Sequence, residues 1–99
     1  MRTLTQVSVS ADRGTQAIQD GTLEKVIQET AERWHPEAMY FTADERGNRT
    51  VYIVADLPDA SDMVVFAEPF FQRLGATLRV APVMNQEDLG KGLGKLQQQ

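Results

Sequence analysis

One segment of the chain, TVYIVADL at residues 50–57, predicts a β-strand that is apolar on both of its faces. Successive side chains of a strand point to opposite sides of the sheet. One side receives Val51, Ile53, Ala55 and Leu57. The other side receives Tyr52, Val54 and the single charge of the segment, Asp56. Such a strand needs cover on both sides, and 99 residues supply enough helix for only one of them. The simplest second cover is another copy of the same chain.

The size and charge of the chain narrow the classes of function. Residues 1–99 predict one domain, with a core at about residues 3–84 and a tail at residues 85–99. The net charge of −4 argues against nucleic acid, which attracts basic surfaces, and against an anionic membrane surface. No cysteine is present, and the first ten residues contain no apolar signal-peptide core. We therefore expect a cytoplasmic protein without disulfides or thiolate chemistry.

Strands and helices alternate along the chain. Thr-, Val- and aromatic-rich segments predict strands at residues 4–10, 38–43, 50–57 and 76–81. Leu23, Val26 and Ile27 begin a helical apolar pattern that predicts a helix at residues 23–34, with Thr22 as its N-cap. A polar turn at residues 11–14 and a short helical piece at residues 15–20 precede it. These elements place one helical segment between the first two strands.

A second helix is predicted after the turn at residues 58–62, with Ser61 or Asp59 as its cap and Gly75 at its end. Pro69 lies inside this helix and removes one backbone hydrogen bond, which predicts a kink or break near Glu68. Beyond the fourth strand, a short terminal helix begins at Asn85. Its apolar residues are Leu89, Leu93 and Leu96, and it is weakened by Gly90, Gly92 and Gly94.

The resulting order, β-α-β-β-α-β plus a tail, is the ferredoxin-like α+β pattern. Right-handed crossovers place two helices on one face of a four-stranded antiparallel sheet and leave the other face open. An apolar open face of this size typically marks an interface. The pattern therefore predicts a homodimer in which two sheets pack face to face.

Three segments also resemble a family of short, uncharacterised bacterial proteins in the broad dimeric α+β barrel group. They are PEAMYFTADERGNRTVYIVADLPD at residues 36–59, AEPFFQRLGA at 67–76 and PVMNQEDLGKGL at 82–93. The resemblance implies a ferredoxin-like subunit whose sheet packs on the sheet of a second subunit. The wider group includes cofactor-free monooxygenases, haem-degrading enzymes, small isomerases and ligand-sensing modules, so the resemblance does not choose between enzyme and binder.

Three residues are candidates for acid–base catalysis. His35 is the only histidine, and it is either a general base, a metal or haem ligand, or a cation at the C-terminal end of a helix. Glu68 is either a cap at the expected helix break or a general acid or base. Asp56 is either an exposed charge at a strand end or a marker of a pocket between subunits. The structural alternative is the favoured one for His35 and Glu68.

Four polar or aromatic residues in strands are candidates for orienting a ligand between the sheets: Gln6, Tyr40, Tyr52 and Arg79. One histidine and no cysteine predict no zinc site, and no phosphate loop or other cofactor motif is present. We expect no cofactor and no metal. The favoured function is a homodimeric binding or assembly module with a small apolar ligand between its sheets. The alternative is a cofactor-independent enzyme of monooxygenase or isomerase type.

Overall fold

The computed structural model describes residues 1–98, and its strands form an antiparallel sheet with the order β2-β3-β1-β4. The strands are β1 (Arg2–Val9), β2 (Ala38–Ala43), β3 (Arg49–Asp56) and β4 (Thr77–Pro82). The helices are α1 (Ala11–Gln19), α2 (Thr22–Trp34), α3 (Asp62–Leu74) and α4 (Gln86–Gln97). The strand predicted at residues 38–43 coincides with β2, and the other three are displaced by one or two residues.

This strand order confirms the ferredoxin-like α+β fold. Strands β1 and β3 are central and pair with each other along their whole length, from Arg2 opposite Asp56 to Val9 opposite Arg49. The connections from β1 to β2 and from β3 to β4 carry the helices α1–α2 and α3 respectively. No helix within residues 1–98 combines the length and the apolar character that a membrane crossing would require.

The core lies between one face of the sheet and the helices α1, α2 and α3. Alternate residues of β1 and β3 face it, and Val51, Ile53 and Ala55 are buried as the alternation in TVYIVADL predicts. The helices contribute Ala17, Val26, Phe66, Phe70 and Leu74. Trp34 extends the core, with its ring edge-on to Phe66 at 5.6 Å between ring centroids. We call this face of the sheet the helix side and the opposite face the open side.

Thr5 lies at the centre of this core and carries a hydroxyl that no partner satisfies within the described residues. The side chain is fully buried, and burying a hydroxyl without a hydrogen bond costs about 1–3 kcal/mol. Thr5→Val should therefore raise the free energy of unfolding by about 1 kcal/mol, measured by urea denaturation. The matched control is Thr3→Val on the same face of β1, because the Thr3 hydroxyl donates to the carbonyl of Ala55 at 2.9 Å. Thr3→Val should destabilise, and equal effects of both substitutions would contradict the prediction.

The connection after β1 differs from the prediction. The polar turn expected at residues 11–14 is wrong, because these residues form the first turn of α1 and the side chain of Ser10 caps it by accepting from the N–H of Arg13. The cap expected at Thr22 is also wrong. Gly21 is the cap of α2, with φ of 79°, and the Thr22 N–H donates to the side chain of Asp20 at 2.9 Å. A left-handed φ favours glycine, which is why the two helices meet there.

The break predicted near Glu68 does not occur, because α3 runs without interruption from Asp62 to Leu74. Pro69 removes only the bond to the carbonyl of Val65, a residue that is 40% exposed. The Glu68 carboxylate does not cap a helix end. It accepts a hydrogen bond from the side chain of Gln72 at 3.1 Å.

Helix α4 buries none of its residues. A capping box joins Asn85 and Asp88 at its start, as expected for a helix that begins at Asn85. Its apolar residues Leu89, Leu93 and Leu96 are 49–63% exposed. Isolated helices of about 12–15 residues are marginal in water even when they are rich in alanine, and each glycine costs about 1 kcal/mol more. A helix of 12 residues with three glycines therefore needs a packing surface beyond those that this chain offers it.

Candidate functional site

The open side of the sheet presents its side chains in rows that cross all four strands. Facing residues in the ladder define one apolar row, which consists of Ala38, Val54, Leu4 and Ala81. The next row consists of Tyr40, Tyr52, Gln6 and Arg79. A third row, of hydroxyl groups, consists of Thr42, Thr50, Ser8 and Thr77. Val54 and Tyr52 remain half-buried although both belong to a central strand, so the helices within residues 1–98 leave this part of the face without cover.

The second row contains the four ligand-orienting candidates from the sequence, and we call it the central row. Neighbouring strands lie about 4.8 Å apart, so the row spans roughly 14 Å. It places two phenol rings beside an amide and a guanidinium, and Tyr40 and Arg79 at its ends are exposed. The central row can therefore hydrogen-bond a molecule that rests on the sheet and can stack on its flat groups.

A polar groove of about 410 Å³ adjoins the central row at the end of the sheet where β1 stops. Its floor includes Gln6, Ser8 and Arg79, and its wall is the loop between β2 and β3 at residues 44–48. The loop is held by the Asp44 carboxylate, which accepts from the N–H groups of Arg46 at 2.9 Å and Asn48 at 3.0 Å. This places a structured polar loop against the open side.

Hydrogen bonds to three carboxylates predict how the stability of the fold depends on pH. The N–H of Asn48 is the main cause that lowers the pKa of Asp44, and hydrogen bonds from Thr22 and Ser61 lower the pKa of Asp20 and Asp59. The folded-state pKa of each carboxyl lies below its unfolded value, which is near 3.8. The stabilisation from these hydrogen bonds is therefore fully present above pH 3.8 and is lost as the pH falls through the folded-state pKa. The thermal midpoint should therefore fall on acidification through this range.

Asp44→Asn tests how much the loop at residues 44–48 contributes to the pH dependence of stability. The variant should have a lower thermal midpoint at neutral pH and should lose less on acidification than the wild type, because the ionised acceptor is already gone. Glu45→Gln is the matched control, since Glu45 lies in the same loop and is exposed. An acid dependence that is the same in Asp44→Asn and in the wild type would contradict the prediction.

Charged residues occupy the opposite end of the open side. Asp56 accepts from the amino group of Met1 at 2.6 Å, and Arg2 contacts Glu37 at 2.7 Å and Asp88 of α4 at 3.3 Å. Asp56 is 68% exposed, which identifies it as an exposed charge at a strand end within the single chain. Of these pairs, the one between Arg2 and Asp88 joins the start of α4 to the edge of the open side.

The three acid–base candidates do not form one site. His35 is exposed at the end of α2, where it caps the helix with a left-handed φ of 45° and donates its backbone N–H to the carbonyl of Ala31. Glu68 lies on α3, on the helix side, whereas Asp56 points to the open side. Residues 1–98 contain no cluster of three or more histidine or acidic side chains that could hold a metal ion. The sheet therefore separates Asp56 from Glu68 within one chain.

An apolar cavity of about 430 Å³ lies on the helix side, between the β2 edge and the helices α1 and α2. The sequence does not predict this cavity, because residues 11–14 are interpreted as a turn and the first turn of α1 is therefore left out. The sequence does contain a signal for it, since Ile18, Leu23 and Ile27 are more apolar residues than a narrow helical stripe requires. The ligand expected from the sequence lies between two sheets, whereas this cavity lies on the opposite face.

Comparison with known proteins identifies no family, because no family model and no curated protein matches the chain. One solved structure with a similar fold is a formyltetrahydrofolate deformylase from Pseudomonas putida, with 16% identity and a TM-score of 0.48. The match covers 83% of this chain and 28% of that protein, so the chain spans less than a third of its length. Another, from Deinococcus radiodurans, is provisionally assigned as an antibiotic biosynthesis monooxygenase. It shows 13% identity and a TM-score of 0.46 over 85% of this chain and 92% of that one. Similarity this low transfers no activity, and the family resemblance in the sequence remains a prediction.

Proposed function

We propose that the chain is a small binding module that assembles as a homodimer through the open side of its sheet. The observation that carries the proposal is the apolar row of Ala38, Val54, Leu4 and Ala81, which crosses the whole sheet without cover. Exposed apolar patches of this continuity typically mark interaction sites. A second copy supplies the same row in the self-complementary arrangement that a two-fold dimer needs.

Helix α4 supports the same proposal. Its first turn is tied to Arg2 at the margin of the open side through Asp88, and its three leucines are exposed. A partner that covers the sheet also supplies the packing surface that this glycine-rich helix lacks. Each chain of the dimer then covers the α4 of the other.

A small ligand between the two sheets would contact the central row. In a face-to-face pair the tyrosines, Gln6 and Arg79 of both chains line the space between the sheets. The tyrosine rings supply apolar contact, and the amide and guanidinium supply donors for an acceptor group on the ligand. An enzymatic role on a small organic molecule is not proposed, because no observation brings His35, Glu68 and Asp56 together.

Sedimentation equilibrium tests the assembly directly. The intact chain should sediment as a dimer at micromolar concentration, because a sheet-to-sheet contact of standard size supports affinities in or below that range. A folded monomer at these concentrations, with the circular dichroism spectrum of an α+β protein, would refute the proposal.

A further inference from the structure

The apolar cavity on the helix side is formed entirely within one chain. Its walls are mostly aliphatic and aromatic, contributed by Ile18 of α1, Leu23 and Ile27 of α2, and Phe41 and Val51 of the sheet. A volume of about 430 Å³ is within the range of small-molecule sites, roughly 300–1,000 Å³. The cavity is therefore large enough for a ligand and does not depend on a second copy.

Two large apolar side chains at the mouth of the cavity remain in contact with solvent. Ile18 is 53% exposed and Phe41 is 63% exposed. Phe41 points to the helix side from an edge strand, since it pairs with the buried Val51, but the helices pack over the central strands and leave it without cover. An apolar group placed in the cavity would remove both side chains from water, which is favourable in proportion to the area buried.

Arg49 places a positive charge in the wall of this mainly apolar cavity. Its side chain crosses the backbone of α1 at Gly14, where a Cβ would lie 2.7 Å from Nη1. Nη1 donates to the carbonyl of Ala11 at 3.2 Å. No carboxylate lies within ion-pair distance of Arg49 among the described residues, so most of its five N–H donors are available.

We propose that this cavity binds a small carboxylic acid with an apolar body. The carboxylate pairs with the Arg49 guanidinium, whose fork of N–H groups matches the two oxygens of a carboxylate. The body contacts Ile18, Leu23, Ile27 and Phe41. This site goes beyond the proposed function, because it lies on the other face of the sheet and is complete in one chain.

The one acidic side chain in the cavity wall makes the charge preference testable. Glu24 of α2 also lines the cavity, and its carboxylate accepts from the amide of Gln28 at 3.5 Å. A bound anion experiences attraction from Arg49 and repulsion from Glu24. Neutralising the two residues should therefore change the affinity for an acid in opposite directions, whereas a neutral ligand should respond to neither.

The experiment uses octanoate and its uncharged counterpart 1-octanol, followed by backbone amide NMR of the full chain. Octanoate should cause saturable shifts at Gly14, Ile18 and Phe41. Arg49→Gln should weaken octanoate at least about tenfold, as expected for loss of a charge-assisted hydrogen bond, and should leave octanol unchanged. Glu24→Gln should strengthen octanoate a few-fold.

Gly14→Ala is a second variant that keeps the test decisive if Arg49→Gln does not fold. Alanine favours the helix, but its Cβ would displace the Arg49 guanidinium, so octanoate binding should weaken while the fold is retained. Absence of saturable shifts with octanoate would overturn the proposal. Equal binding of both probes, or octanoate binding that neither Arg49→Gln nor Gly14→Ala weakens, would overturn it as well. None of these three results depends on the oligomeric state, so failure of this proposal is distinct from failure of the proposed dimer.

Discussion

Val54→Asp should convert the proposed dimer to a folded monomer. Val54 lies in the middle of the apolar row, between Ala38 and Leu4 on the neighbouring strands. In the proposed two-fold dimer the substitution buries two carboxylates without partners. Each buried charge without a partner costs several kcal/mol or shifts its pKa to become neutral. We expect the dissociation constant to rise by roughly 100-fold or more, measured by sedimentation equilibrium.

The matched control is Val64→Asp. Val64 is an exposed valine, 63% accessible, in the first turns of α3 on the other side of the molecule. An acidic residue near a helix N-terminus is favourable, so this variant should fold and remain dimeric. A Val54→Asp protein that still sediments as a dimer would show that the open side is not the interface, and dissociation of Val64→Asp would place the interface on α3.

Phe70→Ala should produce the largest loss of stability among single substitutions of the core. Phe70 is fully buried, and its ring lies 6.0 Å from that of Phe66 between ring centroids. Truncating a buried phenylalanine to alanine costs about 3–5 kcal/mol, a large part of a total stability of about 5–15 kcal/mol. Urea denaturation should show this loss.

The adjacent residue supplies the control. Phe71 is 44% exposed, because the next position on the helix turns away from the core. Phe71→Ala should cost less than about 1 kcal/mol. A comparable loss in the two alanine variants would mean that α3 is rotated from the orientation described here or that Phe71 is covered by a partner, which the oligomeric state of each variant would distinguish.

Part of the candidate site was predictable because strand geometry is local. The alternation along residues 50–57 assigns Tyr52 and Val54 to one face and Ile53 and Ala55 to the other, and the structure confirms both assignments. The same rule proposes Gln6, Tyr40 and Arg79 as residues of interest. It does not show that they form a single row with Tyr52, because that depends on the register between strands, and a slip of one residue would reverse the faces.

The main errors come from segments where local preference competes with tertiary contacts. Residues 11–14, ADRG, read as a turn because Asp and Gly favour turns, yet Gly14 belongs to α1 and lies beneath the Arg49 side chain. The missing side chain of this glycine permits a close approach between two elements that are far apart in the chain. Pro69 similarly predicts a break, but α3 continues because Phe66, Phe70 and Leu74 hold both of its halves on the core.

By itself, the sequence determined the order of strands and helices along the chain, the two-faced central strand and the lack of helix to cover its second side. The first two follow from periodicity within short segments, and the third follows from the length of the chain. The tertiary structure alone decided that the central row is continuous, that Thr5 buries an unpaired hydroxyl, and that Arg49 lines an apolar cavity at the β2 edge. Each of these features depends on distances between residues that are tens of positions apart in the chain. Strand register and helix packing set those distances, and the local sequence pattern does not.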